Sequence, residues 1–554
     1  MNPEPGVPGS VQGTGWREIQ GKCPHRGRRR ASAEGWYGPG GRLRRYTVGR
    51  PVETHLRNLP RCATLYRVGF RNLGEFLAEL EREGELARIR CEVNPYLEAA
   101  FLAVTATRSG GPALLFERPG GSPFPLAMNL FGTERRMARA LGVGKLEELS
   151  ARMEEILKVA GSEPPRRLRF LGQLFHLSRL RPRRISRAPV QEVVKEGEQV
   201  DLGELPVVTT WPRDAGPFVT LPLVITRDPE TGRRNVGMYR LQVLGSRRLA
   251  LHWQEHKTGH RHFQKARARG EKLPVAVALG GDPATIYSAS APLPEGWDEL
   301  LLAGLLRGEG VELAPAKTVP LEVPAEAEFV IEGWADPAAP PALEGPFGDH
   351  TGYYTPPAPF PVLEVTAITH REKPIYPATV VGRPPMEDYW LGQATERLFL
   401  PLVRLLLPEV EDYHMPPEGT FHNLVFVSIK KEYPGQAYRV AYGLWGMGLM
   451  SLAKVIVVVD AGVNVHDPQE AWWYALSNCD PERDVLIARG PLDVLDHASR
   501  LPSFGGKMVV DGTEKLPGEG VSRPFPQLVE PDPATLDLVR KKWPLYELKG
   551  VNPP

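Results

Sequence analysis

The sequence has little cysteine and almost no net charge. Its 554 residues include four cysteines, Cys23, Cys62, Cys91 and Cys479, and none of them has the paired CxxC spacing of a zinc site. This pattern argues against a disulfide-stapled scaffold and suits a reducing compartment. The formal net charge of +2 gives no electrostatic reason to expect a nucleic-acid or membrane-surface partner.

Long apolar runs are also missing. No stretch is long enough to span a bilayer, and the N-terminus lacks the basic-then-apolar pattern of a signal peptide. We therefore predict a cytoplasmic protein without a transmembrane segment. A hydrophobic content of 42% is ordinary for globular proteins, and the length predicts two to four domains with ample core.

The signatures of several enzyme classes are absent from the sequence. There is no Walker A motif, because residues 142–145 lack both the spacing and the preceding strand of a phosphate loop. No G-x-G-x-x-G turn follows a strand, and there is no G-x-S-x-G elbow. The sequence therefore does not predict a nucleotide-dependent enzyme, a dinucleotide fold or a serine hydrolase.

The N-terminal region divides into two parts by composition. Residues 1–69 are rich in Gly, Pro and Arg without apolar periodicity, which predicts a disordered basic tail. Residues 70–183 open with a helical apolar stripe from Leu73, which Asn72 is placed to cap, and continue with strand-like alternation up to Val93. Thr133 is predicted to cap a second helix. We predict a small α/β domain here.

The central stretch, residues 184–385, carries strand signals separated by turn chemistry. Strands are predicted at residues 221–226, 240–244, 275–279, 327–331 and 362–368, with one helix at 299–306. Many strands with long connections favour a β-barrel.

Beyond residue 386 the pattern changes to helices that alternate with continuous apolar strands. Residues 394–407 are predicted to form an apolar-rich helix, and residues 424–429 and 455–459 strands covered on both faces. This alternation predicts a second α/β domain over residues 386–554, with a mostly parallel sheet.

The most informative stretch, residues 344–354, reads EGPFGDHTGYY. It places two carboxylates, Glu344 and Asp349, on a backbone that Gly and Pro keep out of helix and regular strand. Acid–base chemistry uses pairs of carboxyl groups whose surroundings separate their pKa values. Taken alone, the stretch is equally compatible with a site and with a tight turn that has a charged rim.

Upstream residues offer further chemistry. Arg240 lies in an apolar run beside Tyr239, where its guanidinium could form a buried ion pair or hold a carboxylate through two hydrogen bonds. From the residues alone the ion pair is favoured. Asn235, His252 and Glu299 offer oxygen and nitrogen ligands that suit a hard divalent ion such as Mn²⁺ or Mg²⁺, although Asn235 is also typical of a turn and Glu299 of a solvated helix end.

A run of four histidines allows another interpretation. Its members are His252, His256, His260 and His262, and imidazoles at helical spacing are zinc ligands in many proteins. Gly259 and its polar neighbours favour a loop, and no HExxH motif is present. A zinc site is therefore the less favoured interpretation.

The order and spacing of several short pieces carry a family resemblance. The pieces are residues 128–133, 235–240, 249–253, 282–285, 292–306, 344–354, 382–385 and 460–464. On these pieces the chain, from about residue 70 to the C-terminus, resembles the UbiD family of decarboxylases, which use a prenylated flavin. The resemblance implies a split β-barrel flavin domain, which agrees with the predicted central barrel.

The resemblance also implies catalytic residues. Arg240, Glu344 and Asp349 match the family's arginine and two acids, and many members have Glu where this chain has Asp349. It implies that Asp349 delivers a proton while Glu344 and Arg240 hold the substrate carboxylate.

A metal and a cofactor are implied in the same way. Asn235, His252 and Glu299 match the ligands of an Mn²⁺ or Mg²⁺ ion that bridges to the cofactor phosphate. The position of His252 varies within the family, and a K⁺ site nearby is typical. Prenylated FMN is expected to be held by Met238, Tyr239, Arg240, His252 and Trp253, with Lys454 a weaker candidate that we favour slightly as a strand-edge lysine.

The implied reaction is the non-oxidative decarboxylation of an aromatic or α,β-unsaturated carboxylic acid, with a flavin prenyltransferase as cofactor supplier. A quinone precursor is expected as substrate, either a prenylated 4-hydroxybenzoate or a dihydroxynaphthoate. The alternatives are a metal-dependent hydrolase built on the histidine run and a non-catalytic assembly subunit. The presence of Arg240, Glu344 and Asp349 argues against the subunit with a decayed site.

The apolar helix near residue 400 suggests self-association. Its apolar residues cover more than one helical face, and they are Leu398, Phe399, Leu402, Val403, Leu405, Leu406 and Leu407. Since family members assemble through this domain as dimers or hexamers, we expect at least a homodimer. The alternative is that the central barrel covers this helix within one chain.

Overall fold

The computed structural model describes residues 69–161 and 178–554, apart from residues 256 and 295 and several positions after residue 522. The predicted tail, except its last residue, lies outside this described part. Within it, no helix combines the length and the apolar character needed to cross a membrane.

The chain begins, in the described part, with an α/β unit. Its elements are α1 (Leu73–Arg82), β1 (Leu86–Val93), α2 (Glu98–Arg108), β2 (Ala113–Pro119), β3 (Leu126–Met128), α3 (Glu134–Ala140) and α4 (Glu148–Gly161). The predicted caps are confirmed, because the Asn72 side chain accepts the Glu75 amide at 3.0 Å and Thr133 accepts the Arg136 amide at 3.2 Å. The apolar stripe that begins at Leu73 is buried as its spacing requires.

Strands dominate the central region. They are β4 (Arg183–Arg184), β5 (Val193–Glu196), β6 (Phe218–Val219), β7 (Pro222–Arg227), β8 (Arg234–Gly237), β9 (Leu241–Gly245), β10 (Arg248–Leu251), β11 (Leu273–Leu279), β12 (Glu312–Pro315), β13 (Glu322–Pro324), β14 (Phe329–Ala335), β15 (Ala342–Glu344), β16 (Phe347–Gly348), β17 (Tyr354–Thr355), β18 (Ala358–Phe360), β19 (Val362–His370) and β20 (Tyr376–Pro377). The helices are α5 (Thr258–Arg269), α6 (Pro283–Ser288) and α7 (Glu299–Arg307).

The main sheet of this region is antiparallel and curls into a half-barrel. Its strand order is β6-β9-β10-β19-β14-β11-β7-β8, with β5 beside β19. Alternate residues of β11 enter different cores: Ala276 packs in the core that contains Leu73, and Val277 in the core that contains Trp253. The predicted barrel is therefore confirmed, and both of its faces are covered.

Short ladders fold residues 344–354 back on themselves. Glu344 of β15 pairs with Ala358 of β18, and Gly348 of β16 pairs with Tyr354 of β17. Gly345 (φ +90°) and Gly352 (φ +82°) supply the left-handed backbone that these turns need. The two acids of the stretch are thereby held on a rigid double turn.

The C-terminal unit is α/β, as predicted. Its elements are α8 (Glu387–Leu406), β21 (Val410–His414), β22 (Leu424–Ile429), α9 (Gln436–Trp445), β23 (Val455–Asp460), α10 (Pro468–Asn478), α11 (Pro481–Asp484), β24 (Val485–Pro491), β25 (Phe504–Asp511) and α12 (Pro533–Lys542). The sheet order is β21-β22-β23-β25-β24, with a parallel centre and antiparallel edges. The units interlock, because β20 of the central region completes the N-terminal sheet beside β3.

The apolar surface of α8 is largely covered within the chain. Leu398 packs in the core that also contains strand residues of the half-barrel, Val403 and Leu407 pack in the core of the C-terminal sheet, and α8 further contacts α4, α3 and β21. The alternative that the central region helps to cover this helix is therefore supported in part. Leu405 and Leu406 remain 68% and 61% exposed. The apolar residues therefore do not by themselves require a second copy, and the homodimer stays a prediction.

Candidate active site

Arg240 lies between the two predicted acids. Its Nε donates to Glu344 Oε1 at 2.8 Å, its Nη2 donates to Glu344 Oε2 at 3.3 Å, and its Nη1 donates to Asp349 Oδ2. Glu344 has no exposed surface, and the Arg240 side chain is 10% exposed. These hydrogen bonds use three of the five guanidinium N–H groups, so two remain for an incoming carboxylate. The structure thus brings the three predicted catalytic residues together.

The chain order explains this convergence. Arg240 lies on the turn between β8 and β9, whereas Glu344 ends β15 and Asp349 directly follows β16. The Phe347 ring, between the two acids in sequence, packs beneath the Arg240 guanidinium with 4.4 Å from Cζ to the ring centroid. This ring excludes water from one side of the pair and strengthens the ion pair.

His252 extends the network beyond Glu344. Its Nδ1 lies 3.1 Å from Glu344 Oε2, and its Nε2 is buried without a hydrogen-bond partner in the described part of the chain. Burial and the nearby Arg240 charge lower the pKa of His252, which favours the neutral imidazole. Because an ionised carboxylate only accepts hydrogen bonds, Nδ1 carries the proton and Nε2 presents a free lone pair.

The carboxyl of Glu344 is ionised in this setting. Burial alone would raise its pKa, but the hydrogen bonds from His252 and Arg240 outweigh burial, so the pKa of Glu344 is lowered. In metal-binding histidines, the ring nitrogen that does not contact the metal usually donates its N–H to a carboxylate, as His252 Nδ1 does here to Glu344.

The other two predicted metal ligands are only partly satisfied by the described residues. Asn235 is 5% exposed, and its Nδ2 has no hydrogen-bond partner among the described residues. Glu299 opens α7 and accepts the Val236 amide at 3.1 Å, and burial raises its pKa to about 7. A free imidazole nitrogen, an unsatisfied buried amide and a carboxyl short of positive charge fit a divalent cation.

The predicted cofactor residues lie on the two segments that flank this network. Met238 and Tyr239 precede Arg240, and Trp253 follows His252 directly after β10. The Trp253 indole is 2% exposed and its Nε1 has no partner in the described chain. The Gly259 backbone closes over this indole, since a Cβ there would lie 2.7 Å from Nε1. These two segments therefore offer mostly apolar side chains and a few unpaired polar atoms, as a flavin-binding surface requires.

Lys454 is engaged elsewhere. Its Nζ lies 2.8 Å from Asp496 Oδ2, and the residue directly precedes β23. This contact agrees with the strand-edge interpretation of Lys454 that we favoured slightly.

Asp349 has partners that the sequence interpretation did not assign. Its Oδ1 lies 3.0 Å from His350 Nδ1, and its Oδ2 accepts the Thr355 hydroxyl at 2.8 Å. Although burial acts to raise the pKa of Asp349, the hydrogen bond from His350 and the charge of Arg240 outweigh it and hold the pKa well below its usual range. His350 directly follows Asp349 in the sequence, and this adjacency could have indicated the contact between the two side chains.

His422 was missed entirely. Its Nε2 lies 2.9 Å from His350 Nε2, across the boundary between the central and C-terminal units. It belongs to a turn before β22 that carries no catalytic motif, so no sequence signal identified it. A further acid, Asp388 at the start of α8, stands close enough to influence His350, and burial raises the pKa of Asp388 to about 7.

The histidine run does not converge on a metal. Residues from Thr258 form α5, so the loop predicted around Gly259 is wrong; the glycine is tolerated in the first helical turn because it packs on Trp253. His262 is buried with Nδ1 2.9 Å from Thr226 Oγ1, and His260 contacts Gln264. His256 lies outside the described residues. These separate contacts do not favour the zinc hydrolase alternative.

A second group of metal-binding side chains occurs in the C-terminal unit. Glu396, His414 and His466 have potential ligand atoms within 4.8 Å of one another. However, the Glu396 carboxylate already accepts the Met415 amide at 2.7 Å and Arg397 Nη2 at 2.9 Å. A carboxylate saturated by an arginine and a backbone amide is a satisfied polar network and a poor cation ligand.

Comparison with known proteins identifies the family. The chain matches three models of the 3-octaprenyl-4-hydroxybenzoate carboxy-lyase (UbiD) family: the N-terminal domain at residues 77–155, the Rift-related domain at 183–384 and the C-terminal domain at 389–512. The chain therefore belongs to the UbiD family of carboxy-lyases, as its sequence resemblance indicated.

Relatives agree over nearly their whole length. An uncharacterised protein of Archaeoglobus fulgidus is 50% identical over 86% of this chain and 98% of its own. The UbiD-class enzyme HmfF from Pelotomaculum thermopropionicum, solved with FMN, is 34% identical with a TM-score of 0.70 over 84% of this chain and 99% of its own. An evolved dimeric form of HmfF was solved with prFMN (35% identity, TM-score 0.68, 82% of this chain and 97% of its own). Vanillic acid decarboxylase of Sedimentibacter hydroxybenzoicus is 27% identical with a TM-score of 0.77 over 86% of this chain and 99% of its own.

Proposed function

We propose that this chain decarboxylates an aromatic or α,β-unsaturated carboxylic acid with prenylated FMN. The observation that carries the proposal is the buried guanidinium of Arg240 between Glu344 and Asp349. When bound, the flavin would supply the electron sink for loss of CO₂. The bound flavins of HmfF support this choice of cofactor.

The protein's own residues supply binding and proton transfer. The two uncommitted N–H groups of Arg240 receive the substrate carboxylate, and Glu344 holds the guanidinium in register. Asp349 delivers the proton that replaces CO₂. The Phe347 ring, packed against Arg240, keeps water from one side of the carboxylate and favours the loss of CO₂.

Asn235, His252 and Glu299 are proposed to hold Mn²⁺ or Mg²⁺ for the cofactor phosphate, with a K⁺ ion nearby. The unpartnered Asn235 Nδ2 and His252 Nε2 support this assignment, since the amide oxygen and nitrogen exchange by rotation. Met238, Tyr239, Arg240 and Trp253 would line the flavin, and Lys454 is the weakest member of the cofactor set.

The substrate class is proposed more narrowly as a hydroxylated aromatic acid. Vanillic acid decarboxylase supports this class, and a quinone-precursor 4-hydroxybenzoate or dihydroxynaphthoate belongs to it.

The test is to co-express the chain with a flavin prenyltransferase and to identify the bound flavin by absorption and mass. The loaded protein is then offered vanillate, 4-hydroxybenzoate, a prenylated 4-hydroxybenzoate, dihydroxynaphthoate and cinnamate, with CO₂ and product measured. Release of CO₂ from a hydroxylated acid but not from cinnamate supports the narrower class. A flavin-loaded protein inactive on all five acids rejects it.

A further inference from the structure

Each decarboxylation consumes one proton, because the C–C bond to the carboxylate breaks and a C–H bond replaces it. Under the proposed function Asp349 delivers that proton. In the structure Asp349 is ionised, since Arg240 and His350 both bind its carboxylate. An ionised acid has no proton to give, so a neighbouring group has to supply it in every turnover.

The contacts of Asp349 narrow the source. Arg240 does not give up its proton at any relevant pH, and the hydroxyl of Thr355 is a far weaker acid than a carboxyl. His350 is the remaining side-chain donor among the described contacts, with Nδ1 at 3.0 Å from Oδ1. Its imidazole exchanges a proton near neutral pH.

The far side of His350 meets a second imidazole. The Nε2 atoms of His350 and His422 are 2.9 Å apart, so a single hydrogen lies between them. When His350 is an imidazolium, Nδ1–H donates to Asp349 and Nε2–H donates to the Nε2 lone pair of His422. The proton of His422 then lies on Nδ1, where the side chain of Asn423 is the neighbouring polar group.

The backbone before His422 is unusual. Thr420 (φ +51°) and Phe421 (φ +47°) both adopt the left-handed conformation, which is uncommon for any residue with a side chain and especially for the β-branched Thr. Successive residues in this conformation cost energy that the surrounding fold has to supply. The Phe421 ring lies 5.6 Å from the His350 ring, so the same strained turn fixes both the acceptor and the packing of His350.

We propose that His350 and His422 together store the proton that Asp349 delivers, an inference that rests on the proposed function. As the His350 Nδ1–H bond breaks, the Asp349 O–H bond forms; that bond then breaks as the product C–H bond forms. The histidine pair is left neutral and regains one proton from water after the product leaves. Both histidines are positioning residues, because they act on the reaction through Asp349.

The charges around the pair favour one extra proton and not two. His350 is faced by Asp349, Asp388 and Asp493, and His422 by His350, Asp493 and Asp496. Burial lowers the pKa of His350, but its hydrogen bond to Asp349 outweighs burial and raises the pKa above the ordinary value. Burial and the His350 charge lower the pKa of His422 to about 4.

Two substitutions separate proton storage from a packing role. His422→Leu removes the acceptor, whereas His422→Gln keeps a carbonyl oxygen that can accept from His350. With the fastest acid of the panel above, we expect kcat of the flavin-loaded His422→Leu to fall about tenfold at pH 7.5, as for a weakened acid–base step. We also expect the alkaline decline of kcat to move down by about one pH unit, and His422→Gln to recover most of both effects.

His260→Leu is the matched control, because His260 lies on α5 and contacts Gln264 outside the site. Equal losses in both His422 variants with an unchanged alkaline limb would mean that His422 only packs the interface, and the proposal would fall.

A second measurement does not require turnover. In flavin-loaded protein labelled with ¹⁵N-histidine, the His350 signals are assigned by their loss in His350→Gln. We expect both ring nitrogens of His350 to be protonated at pH 7 in the wild-type chain and one to lose its proton in His422→Leu. A neutral His350 in the wild-type chain overturns the proposal whatever the panel shows. A charged His350 in a chain inactive on the panel supports the proton store and counts against the substrate class alone.

Discussion

The orientation of His252 depends on a single carboxylate, and Glu344→Gln changes it without changing the shape of the side chain. The introduced amide keeps its oxygen at the Oε1 position, where it accepts the shorter of the two hydrogen bonds from Arg240. Its NH₂ group then faces His252 Nδ1, at the position now 3.1 Å from Glu344 Oε2. Nδ1 has to become an acceptor, so the proton moves to Nε2, and a protonated Nε2 cannot bind a metal.

The size of the effect follows from the contacts. Glu344 accepts three hydrogen bonds, two from Arg240 and one from His252. The bond from Arg240 Nη2 is lost, because the introduced NH₂ group stands at the Oε2 position, and the other two bonds become neutral. At about 1 kcal/mol for each bond, with the easier burial of an amide offsetting part of the sum, we expect a loss of about 2 kcal/mol in unfolding free energy. Loss of the supporting carboxylate should weaken metal binding by about 10–100-fold.

The assay is calorimetric titration of the metal-free protein with Mn²⁺, beside urea unfolding. Glu332→Gln is the matched control, because Glu332 is also fully buried but accepts hydrogen bonds from the Lys317 and Thr318 amides, in the connection between β12 and β13. We expect Glu332→Gln to lose stability and keep Mn²⁺ affinity. Wild-type Mn²⁺ affinity in Glu344→Gln would refute the tautomer reasoning, and equal weakening in both variants would show a general effect of a buried amide.

Further predictions concern the remaining site residues. Asp349→Asn should lower kcat by roughly a hundredfold with folding intact, because it removes the deliverable proton; near-normal turnover would remove Asp349 from the mechanism. Glu299→Ala should release the divalent ion and lower flavin occupancy, since the cofactor phosphate loses its counter-charge; unchanged metal analysis and flavin absorption would reduce Glu299 to a helix end. Because burial lowers the pKa of His422 to about 4, unfolding takes up a proton below the unfolded value of about 6.5. The stability of the wild-type chain should therefore fall relative to that of His422→Gln as the pH drops from 6.5 to 4. The opposite contributions of Glu299 and Asp388, whose pKa values are raised to about 7, are common to both chains, and parallel pH curves would contradict the prediction. Sedimentation at micromolar concentration tests the homodimer, and a fully active monomer would reject it.

The sequence determined the local elements because their signals span only a few residues. The caps at Asn72 and Thr133 depend on a side chain that reaches an amide three residues away, and both were predicted. The buried strands followed from period-two alternation or continuous apolar runs, and β22 (Leu424–Ile429) was predicted to the residue. Helix starts were less secure: α8 begins at Glu387, before the predicted residue 394, because its first two turns mix acidic and aromatic residues and contain Gly392, a poor helix former.

The prediction that Arg240, Glu344 and Asp349 lie together did not come from local sequence patterns. Nothing local links Arg240 to Glu344 or Asp349, and the residues alone favoured only an ion pair with some unnamed acid. The family resemblance joined them, and the strand register then brought the β8–β9 turn onto the β15–β18 ladder. Residues 344–354 could be recognised as a turn from the sequence alone, because their Gly and Pro residues disfavour helix and regular strand.

Only the tertiary structure decided the partners that arrive from distant segments. His422 reaches His350 from the C-terminal unit, α8 packs in part against helices of the N-terminal unit, and His252 turns Nδ1 toward Glu344. Each of these depends on how separately folded units dock, and docking is set by the summed shape and charge of whole surfaces. A sequence pattern records which face of an element is apolar, but not which other element covers that face.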